Sequence, residues 1–158
     1  MSKSIEFDQL RKGDARIAQV TQLYRQFYDG MSNVGLLLPL AVDGEYQWMT
    51  AVEMALGRFH HIALAIDSDK VVGFVHGAAR FVPDYLGGKP EGFVSALYVS
   101  PEHRRLGLGL KLYMQLEAWF QQKNVQSISL QVLCGNANAQ EFWKATGFQP
   151  ELVQMRKI

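Results

Sequence analysis

The stretch VSPEHRRLGLG, residues 99–109, joins two apolar segments through a proline, two arginines and two glycines. The segment before it, EGFVSALYV (91–99), is typical of a buried strand, and the segment after it repeats apolar residues at helical spacing. Pro101 ends the strand because proline has no amide to donate to a sheet. Glycine destabilises a helix by about 1 kcal/mol relative to alanine. Gly107 and Gly109 at a helix start therefore indicate that another group approaches the backbone there.

The loop between this strand and this helix predicts a phosphate site. The helix is expected to begin near Leu106, and the first amides of a helix lack intrahelical partners and carry partial positive charge. Arg104, Arg105 and Lys111 add local charge, although the whole chain has a formal net charge of only +1. The sequence fits neither the P-loop nor the GxGxxG pattern, since Leu112 follows Lys111. We expect a diphosphate here; the alternative is that the glycines only allow the helix to pack tightly on the sheet.

Composition excludes several classes of protein. The length of 158 residues predicts one domain, residues 1–158, and the near-zero net charge predicts neither a nucleic-acid partner nor a membrane partner. No window approaches 18 uninterrupted apolar residues, and the first residues lack the apolar core of a signal peptide. Cys134 is the single cysteine and the four histidines are scattered, so we expect no disulfide and no metal site. These features favour a cytoplasmic protein.

Hydrophobic periodicity predicts an α/β chain with a mixed sheet flanked by helices. Turn residues separate the predicted elements. The predicted strands are SIEFDQL, HIALAI, VVGFVHGAARF, EGFVSALYV, SISLQVL and the terminal FQPELVQMRKI, and the predicted helices are ARIAQVTQLYRQFYDG, EYQWMTAVEMALGRF, the segment after Leu106, and NANAQEFWKATG.

Two motifs together resemble the GCN5-related N-acetyltransferase (GNAT) superfamily. VSPEHRRLGLG resembles its acetyl-CoA-binding motif, (R/Q)xxGx(G/A), and NANAQEFWKATGF (136–148) resembles its later segment, NxxAxxFYxxxGF. The resemblance covers residues 91–148. It implies a GNAT-like α/β fold: a twisted, mostly antiparallel mixed sheet of six to seven strands, about four helices, and strands 91–99 and 127–133 splayed apart.

The resemblance also implies an activity. An acetyl-CoA-dependent N-acetyltransferase would transfer the acetyl group directly to a primary amine of a small molecule or peptide, without a metal. The alternative is an acyl-CoA-binding or regulatory module that has lost turnover. Dimers are frequent in this family, so a homodimer is a further expectation.

Residues of the acetyl-CoA site follow from the same resemblance. Backbone groups of Leu97 and Val99 would bond the pantetheine arm as an added strand does, residues 104–109 would wrap the pyrophosphate, and Asn136 would contact the pantetheine or adenine. Asn136 is equally suited to cap a helix. The amide of Val99 is the expected oxyanion donor. The expected binding residues are Leu97, Val99, Arg104, Arg105, Leu106, Gly107, Leu108, Gly109 and Asn136.

Glu91 is the candidate general base. A protonated amine does not attack a thioester, so a base is useful at neutral pH. Strand alternation predicts that Glu91 shares a face with Phe93, Ser95 and Leu97, and the strand has no other carboxylate. The alternative is a solvated glutamate at a strand end. His76 is a second candidate base.

The family's proposed acid is absent. Trp143 occupies the position where the family often has a tyrosine, and an indole N–H is no useful acid. Release of a thiolate at pH 7 costs only about 2 kcal/mol, so catalysis without that tyrosine remains possible. Cys134 is expected to be a packing residue, and Tyr113 a core or surface residue rather than a catalytic one. The resemblance also implies that the apolar, aromatic residues 24–59 include the region that covers the acceptor, where Asp43, Glu45 and Glu53 are candidates to hold one amine. Most of these aromatics are expected in the core.

Overall fold

A mixed sheet of five strands forms the centre of the computed structural model, which describes residues 4–158. The strands lie in the order β1-β2-β3-β4-β5. The first three pairings are antiparallel, and β5 is parallel to β4. The elements are β1 (Ile5–Gln9), α1 (Ile17–Met31), α2 (Gly44–Glu53), β2 (His60–Asp67), β3 (Lys70–Phe81), β4 (Pro90–Val99), α3 (Leu108–Gln122), β5 (Ser127–Leu130) and α4 (Ala137–Ala145).

The sequence-based prediction of six to seven strands exceeds the five in the described part of the chain. The terminal segment from Phe148 to Ile158 has no regular secondary structure, and residues 149–158 are all exposed. The predicted strand 127–133 is also shorter, since β5 ends at Leu130. An apolar pattern suits a strand but does not supply the paired neighbour that a strand needs. The mixed α/β architecture with four helices is otherwise as predicted.

Helices cover both faces of the sheet. On one face α3 buries Leu112, Leu116 and Phe120 completely. Gly77 and Gly92 make room for it, because a Cβ atom at either position would lie 2.8 Å from the Phe120 ring. On the other face α1 and α2 pack against apolar side chains of β2 and β3. No helix within residues 4–158 is long and apolar enough to cross a membrane.

A β-bulge at Ser95 changes which side chains of β4 point to α3. In the pairing with β3, Val94 and Ala96 oppose consecutive residues, so Ser95 is the extra residue. Before the bulge, Gly92 and Val94 face α3. After it, Leu97 and Val99 pack with the α3 cluster, whereas Ala96 joins the cluster under α1 and α2. The alternation of β4 is therefore reversed halfway along the strand.

The sheet opens between β4 and β5. Their parallel pairing covers Glu91 to Val94 against Ser127 to Leu130 and then ends, while β4 continues to Val99. This opening confirms the predicted splay of the two strands.

Candidate active site

The start of α3 presents unpaired amides to open space. Its N-cap is Gly107, which has a left-handed φ of 75°, and no side chain caps the helix. A Cβ atom at Gly107 would meet nothing within 4 Å. Leu108, 3% exposed, anchors the first turn in the core. The helix begins here rather than near Leu106, which is exposed in the preceding loop. This geometry suits a pyrophosphate lying on the helix start.

Arg104 ties the loop to the end of β4. Its Nε donates to the carbonyl oxygen of Val99 at 2.9 Å, and its guanidinium carbon lies 5.4 Å from the centre of the Tyr98 ring. Arg105 is exposed and has a left-handed φ of 66°. Two arginines and the bare helix start therefore lie together, which gives the loop local positive character although the whole chain is nearly neutral.

Backbone groups of β4 point into the opening beside this loop. The amide of Ser100 donates to the Val72 carbonyl at 2.8 Å, so this is a hydrogen-bonded pair with β3. Hydrogen-bonded and non-hydrogen-bonded pairs alternate in an antiparallel ladder, so Leu97 and Val99 direct their N–H and C=O groups away from β3. The bond from Arg104 to the Val99 oxygen agrees with that direction. Since β5 has ended, this edge of β4 has no partner strand and suits the amides of a pantetheine arm, and Arg104 occupies the Val99 oxygen in this structure.

Asn136 caps α4. Its Oδ1 accepts a hydrogen bond from the Ala139 amide at 3.1 Å. Asn136 therefore caps the helix through its side-chain oxygen. Its side-chain NH₂ group is left to contact a ligand.

Glu91 lies near the closed end of the β4–β5 pair. Its carboxylate accepts a hydrogen bond from Arg80 Nε at 3.0 Å. Gly92 and Val94 face α3, so Glu91 and Phe93 face the opposite side. Leu97 is on the α3 side. The predicted common face was wrong, because the Ser95 bulge reverses the alternation between the two halves of the strand.

Trp143 is a core residue. It is 9% exposed and packs edge-on against Tyr113 and Phe148, with ring centroids 5.4 and 5.3 Å away. Burial, with a hydrogen bond to Glu117, raises the pKa of Tyr113 above its usual range. Neither residue is placed to protonate a leaving thiolate. Cys134 was expected to be buried but is exposed, because it lies in the loop between β5 and α4.

Two of the three acidic residues expected near the acceptor have structural partners. Glu45 forms an ion pair with Arg25 of α1, and that hydrogen bond lowers the pKa of the Glu45 carboxyl. Glu53 accepts a hydrogen bond from the Gly13 amide at 3.0 Å. Asp43 is the N-cap residue of α2 but makes no side-chain capping bond.

A pair of histidines lies on the sheet face covered by α1 and α2. His60 Nδ1 and His76 Nε2 are 2.8 Å apart, and Trp48 packs edge-on against His76 with ring centroids 5.4 Å away. Burial lowers the pKa of both imidazoles, that of His76 to about 3. Sequence reasoning missed this pair. Counting back from the turn at Ser68 and Asp69 would have placed His61, not His60, opposite His76, because the register shift between Ala65 and Ile66 is not visible in the sequence.

Within residues 4–158, no group of three or more histidine, cysteine, aspartate or glutamate side chains is arranged to hold a metal ion. An opened strand edge beside a bare, basic helix start defines a coenzyme A-dependent acyltransferase.

Comparison with known proteins identifies the family. The model of the acetyltransferase (GNAT) family matches residues 17–148. Aminoglycoside N(6')-acetyltransferase type 1 of Acinetobacter haemolyticus is 26% identical over 111 residues, which cover 68% of this chain and 75% of that protein. The chain belongs to the acetyltransferase (GNAT) family, and it is an N-acetyltransferase that uses acetyl-CoA as donor.

Solved structures share the fold over nearly the whole chain. The aminoglycoside N-acetyltransferase AAC(6')-Iy in complex with CoA has a TM-score of 0.78 at 17% identity, covering 99% of this chain and 97% of that one. The aminoglycoside acetyltransferase meta-AAC0020 from a soil metagenomic sample, in complex with sisomicin, has a TM-score of 0.70 at 19% identity, covering 98% and 95%.

Proposed function

We propose that this enzyme acetylates a primary amine of a small, amine-rich molecule, and that aminoglycosides are the first acceptors to test. The observation that carries the proposal is the opening of β4 from β5 next to the uncapped start of α3. The choice of acceptor class is supported by the aminoglycoside acetyltransferase of Acinetobacter haemolyticus and by the sisomicin complex of a structural relative. A peptide amine is the competing acceptor, and a homodimer and a cytoplasmic location stay predictions.

The backbone would hold the donor. In this proposal the N–H and C=O groups of Leu97 and the Val99 oxygen, once it has exchanged its Arg104 partner, bond the pantetheine arm, and the amides of residues 104–109 bind the pyrophosphate. Arg104 and Arg105 supply charge, and Asn136 supplies its NH₂ group. Acetyl-CoA brings a thioester whose acetyl group passes to the amine. The amide of Val99 is the proposed donor to the oxygen that becomes negative during the attack, because it points into the same opening.

Glu91 stays a hypothesis as general base. Its carboxylate is hydrogen-bonded to Arg80, so it would have to exchange that partner for the amine or for a water. It lies on the sheet face opposite α3, as the two histidines do.

Donor binding is the first test. A ligand at 100 times its dissociation constant stabilises a protein by about 2.7 kcal/mol. Saturating CoA or acetyl-CoA should therefore raise the melting temperature by several degrees, whereas adenosine at equal concentration should raise it much less. Equal shifts with all three ligands would reject the donor site described above.

Acceptor use is the second test. Release of free thiol from acetyl-CoA should be measured against panels of aminoglycosides, simple diamines and peptides. Turnover with aminoglycosides and none with peptides supports the proposal, and the reverse result overturns it. Tight CoA binding without thiol release from any amine would instead indicate the binding module without turnover.

A further inference from the structure

The two histidines form a neutral hydrogen-bonded pair under α2. His60 begins β2 and His76 lies in the middle of β3, with ring planes 15° apart and 2.8 Å between Nδ1 of His60 and Nε2 of His76. Burial keeps the pKa of both rings below its ordinary value of 6.5. At neutral pH, one ring must therefore donate its N–H to the lone pair of the other.

Buried polar atoms without hydrogen-bond partners lie beside this pair. Three buried side-chain nitrogen or oxygen atoms within residues 4–158 have no hydrogen-bond partner, and two of them, His76 Nδ1 and Trp48 Nε1, belong to rings in contact. Trp48 is itself held by parallel stacking on Tyr24, with centroids 3.7 Å apart. Unsatisfied buried polar atoms destabilise a fold. Their presence together indicates that the His76 environment serves something other than stability.

Only one nitrogen of the pair remains accessible. His76 Nδ1 is buried, and His76 Nε2 and His60 Nδ1 contact each other. His60 Nε2 is neither bonded to any group within residues 4–158 nor among the buried unpaired atoms. A proton can therefore enter or leave the pair at His60 Nε2.

The pair lies close to the opening in the sheet. His76 pairs with Ala96 of β4, one residue beyond the bulge at Ser95 and two beyond the last β4–β5 pair at Val94. Neighbouring strands are about 4.8 Å apart, so the opening is about 10 Å from the backbone of β3. Two small side chains lie beside the pair on this face, since His60 opposes Ala78 and His76 opposes Ala96, and Phe93 of β4 opposes Ala78 on the same face. An amine bound over these alanines would lie between the histidines and the opening.

We propose that His60 Nε2 accepts the proton of the acceptor amine and that His76 is a positioning residue. His60 donates through Nδ1 to His76 Nε2, which leaves the His60 Nε2 lone pair unprotonated and facing the amine. The amine nitrogen then forms a bond to the acetyl carbon, the carbon–sulfur bond breaks with its electron pair on sulfur, and the proton from nitrogen goes to His60 Nε2. This assignment rests on the proposed transfer to an amine.

Charged groups around the pair are already partnered or lie on the other face. Arg80 and Glu91 pair with each other, Glu53 accepts from a backbone amide, and His61 faces α3. The titratable and charged groups on the surrounding elements are Tyr24, Arg25, Tyr28 and Asp29 of α1, Glu45, Tyr46 and Glu53 of α2, Arg58 before β2, His61 and Asp67 of β2, Lys70 and Arg80 of β3, and Glu91 and Tyr98 of β4.

Three substitutions test the two roles. His60→Gln removes the proton acceptor and should lower kcat/KM for the acceptor about 100-fold at neutral pH. His76→Leu removes the partner of Nδ1 and should lower kcat by less, while the melting temperature stays the same or rises because an unpaired buried nitrogen is gone. His76→Gln places an amide oxygen where Nε2 was and should restore most of the rate. CoA-induced thermal shifts should be unchanged in all three.

The matched control is His61→Phe. His61 is the neighbouring residue, but it stacks on Trp119 on the opposite face with centroids 5.2 Å apart, so an aromatic replacement should leave kcat unchanged. The proposal is overturned if His60→Gln and His61→Phe have the same rate, or if Glu91→Gln rather than His60→Gln removes an ionisation from the pH profile of kcat/KM.

Nitrogen NMR provides a readout that does not depend on turnover. Long-range ¹H–¹⁵N correlation in the wild-type protein should show His60 protonated at Nδ1 and bare at Nε2, and His76→Leu should redistribute that tautomer. The opposite tautomer in the wild type overturns the proposal. If no amine is acetylated, the proposed function is wrong. The His60–His76 hydrogen bond is still supported in that case if the tautomer and the CoA shifts are as expected.

Discussion

At the scale of single residues, Gly107 sets the direction in which the loop enters α3. It needs a left-handed φ of 75°, and a Cβ atom there would point into open space. A Cβ atom at Gly109 would have only ordinary contacts, 3.8 Å from Phe142 and 3.9 Å from Leu97. Neither glycine is therefore required for tight packing of α3 on the sheet. That result favours the interpretation in which these glycines leave room for a ligand.

Substitution of Gly107 distinguishes two effects of a side chain at this position, strain in the backbone and steric exclusion of the ligand. Gly107→Ala should lower the free energy of unfolding by about 1 kcal/mol, because alanine is strained at positive φ, and it should also weaken CoA binding measured by calorimetry. Gly13→Ala is the matched control, since Gly13 has a φ of 74° and equally open surroundings far from the site. An equal stability loss in both variants with unchanged CoA affinity in Gly107→Ala would contradict a role in binding.

At the scale of elements, two loops meet across the opening of the sheet. Gly135 lies between β5 and α4, and a Cβ atom there would overlap the backbone carbonyl of Val34. Val34 belongs to the short 3₁₀ helix Ser32–Val34 that follows α1. The loop next to the donor site is therefore in contact with the segment that leads to the acceptor side, and only glycine permits the approach.

Enlarging Gly135 should force these loops apart. Gly135→Ala should cost about 1–3 kcal/mol of stability, as overpacking typically does, because backbone cannot yield as a flexible side chain can. We also expect a raised KM for the amine, measured by thiol release. Gly30→Ala, next to the last residue of α1 and with nothing near its Cβ, should instead leave the stability unchanged or raise it by up to about 0.5 kcal/mol. An unchanged KM in Gly135→Ala would show that the loop contact has no part in acceptor binding.

At the scale of the whole molecule, buried histidines govern acid stability. Burial lowers the pKa of His61 to about 4 and that of His76 to about 3. The unfolded chain binds their protons near pH 6.5, so the stability is fully present above pH 6.5 and is lost as the pH falls toward these folded values. The hydrogen bond with Arg16 lowers the pKa of the Asp14 carboxyl, so Asp14 also contributes stability that is lost at low pH. That loss begins only as the pH approaches 3.8, the ordinary pKa of an aspartate.

Unfolding by urea between pH 6.5 and pH 5 isolates the histidine contribution, because Glu45, whose carboxyl has a lowered pKa, adds to the slope mainly below pH 5. Each buried histidine should add about 1.4 kcal/mol per pH unit to the slope of the unfolding free energy. His61→Phe should remove one such contribution and keep the stack on Trp119. A slope that is the same in the wild type and in His61→Phe would show that His61 is protonated in the folded protein.

Much of this architecture is local and was predictable. The β2–β3 hairpin, the strand before Pro101 and the helix after Gly107 follow from turn residues and periodicity within about 30 residues of chain. The loop proposed to bind the donor, residues 104–109, is also contiguous in sequence, so its prediction needed no long-range contact, and its binding role stays a prediction. The shared face assigned to Glu91 and Leu97 was wrong because the extra residue at Ser95 is determined by the register with β3.

The sequence by itself determined the family and the donor, and it predicts the loop that receives the donor, since proline, glycine and arginine act through their own backbone and charge. The tertiary structure decided the rest. Pairing between β2 and β3 brought His60 to His76, and packing with α3 made Trp143 a core residue. Residues 148–158 formed no strand. These outcomes depend on contacts between residues distant in the chain, whose register is set only when the whole sheet assembles.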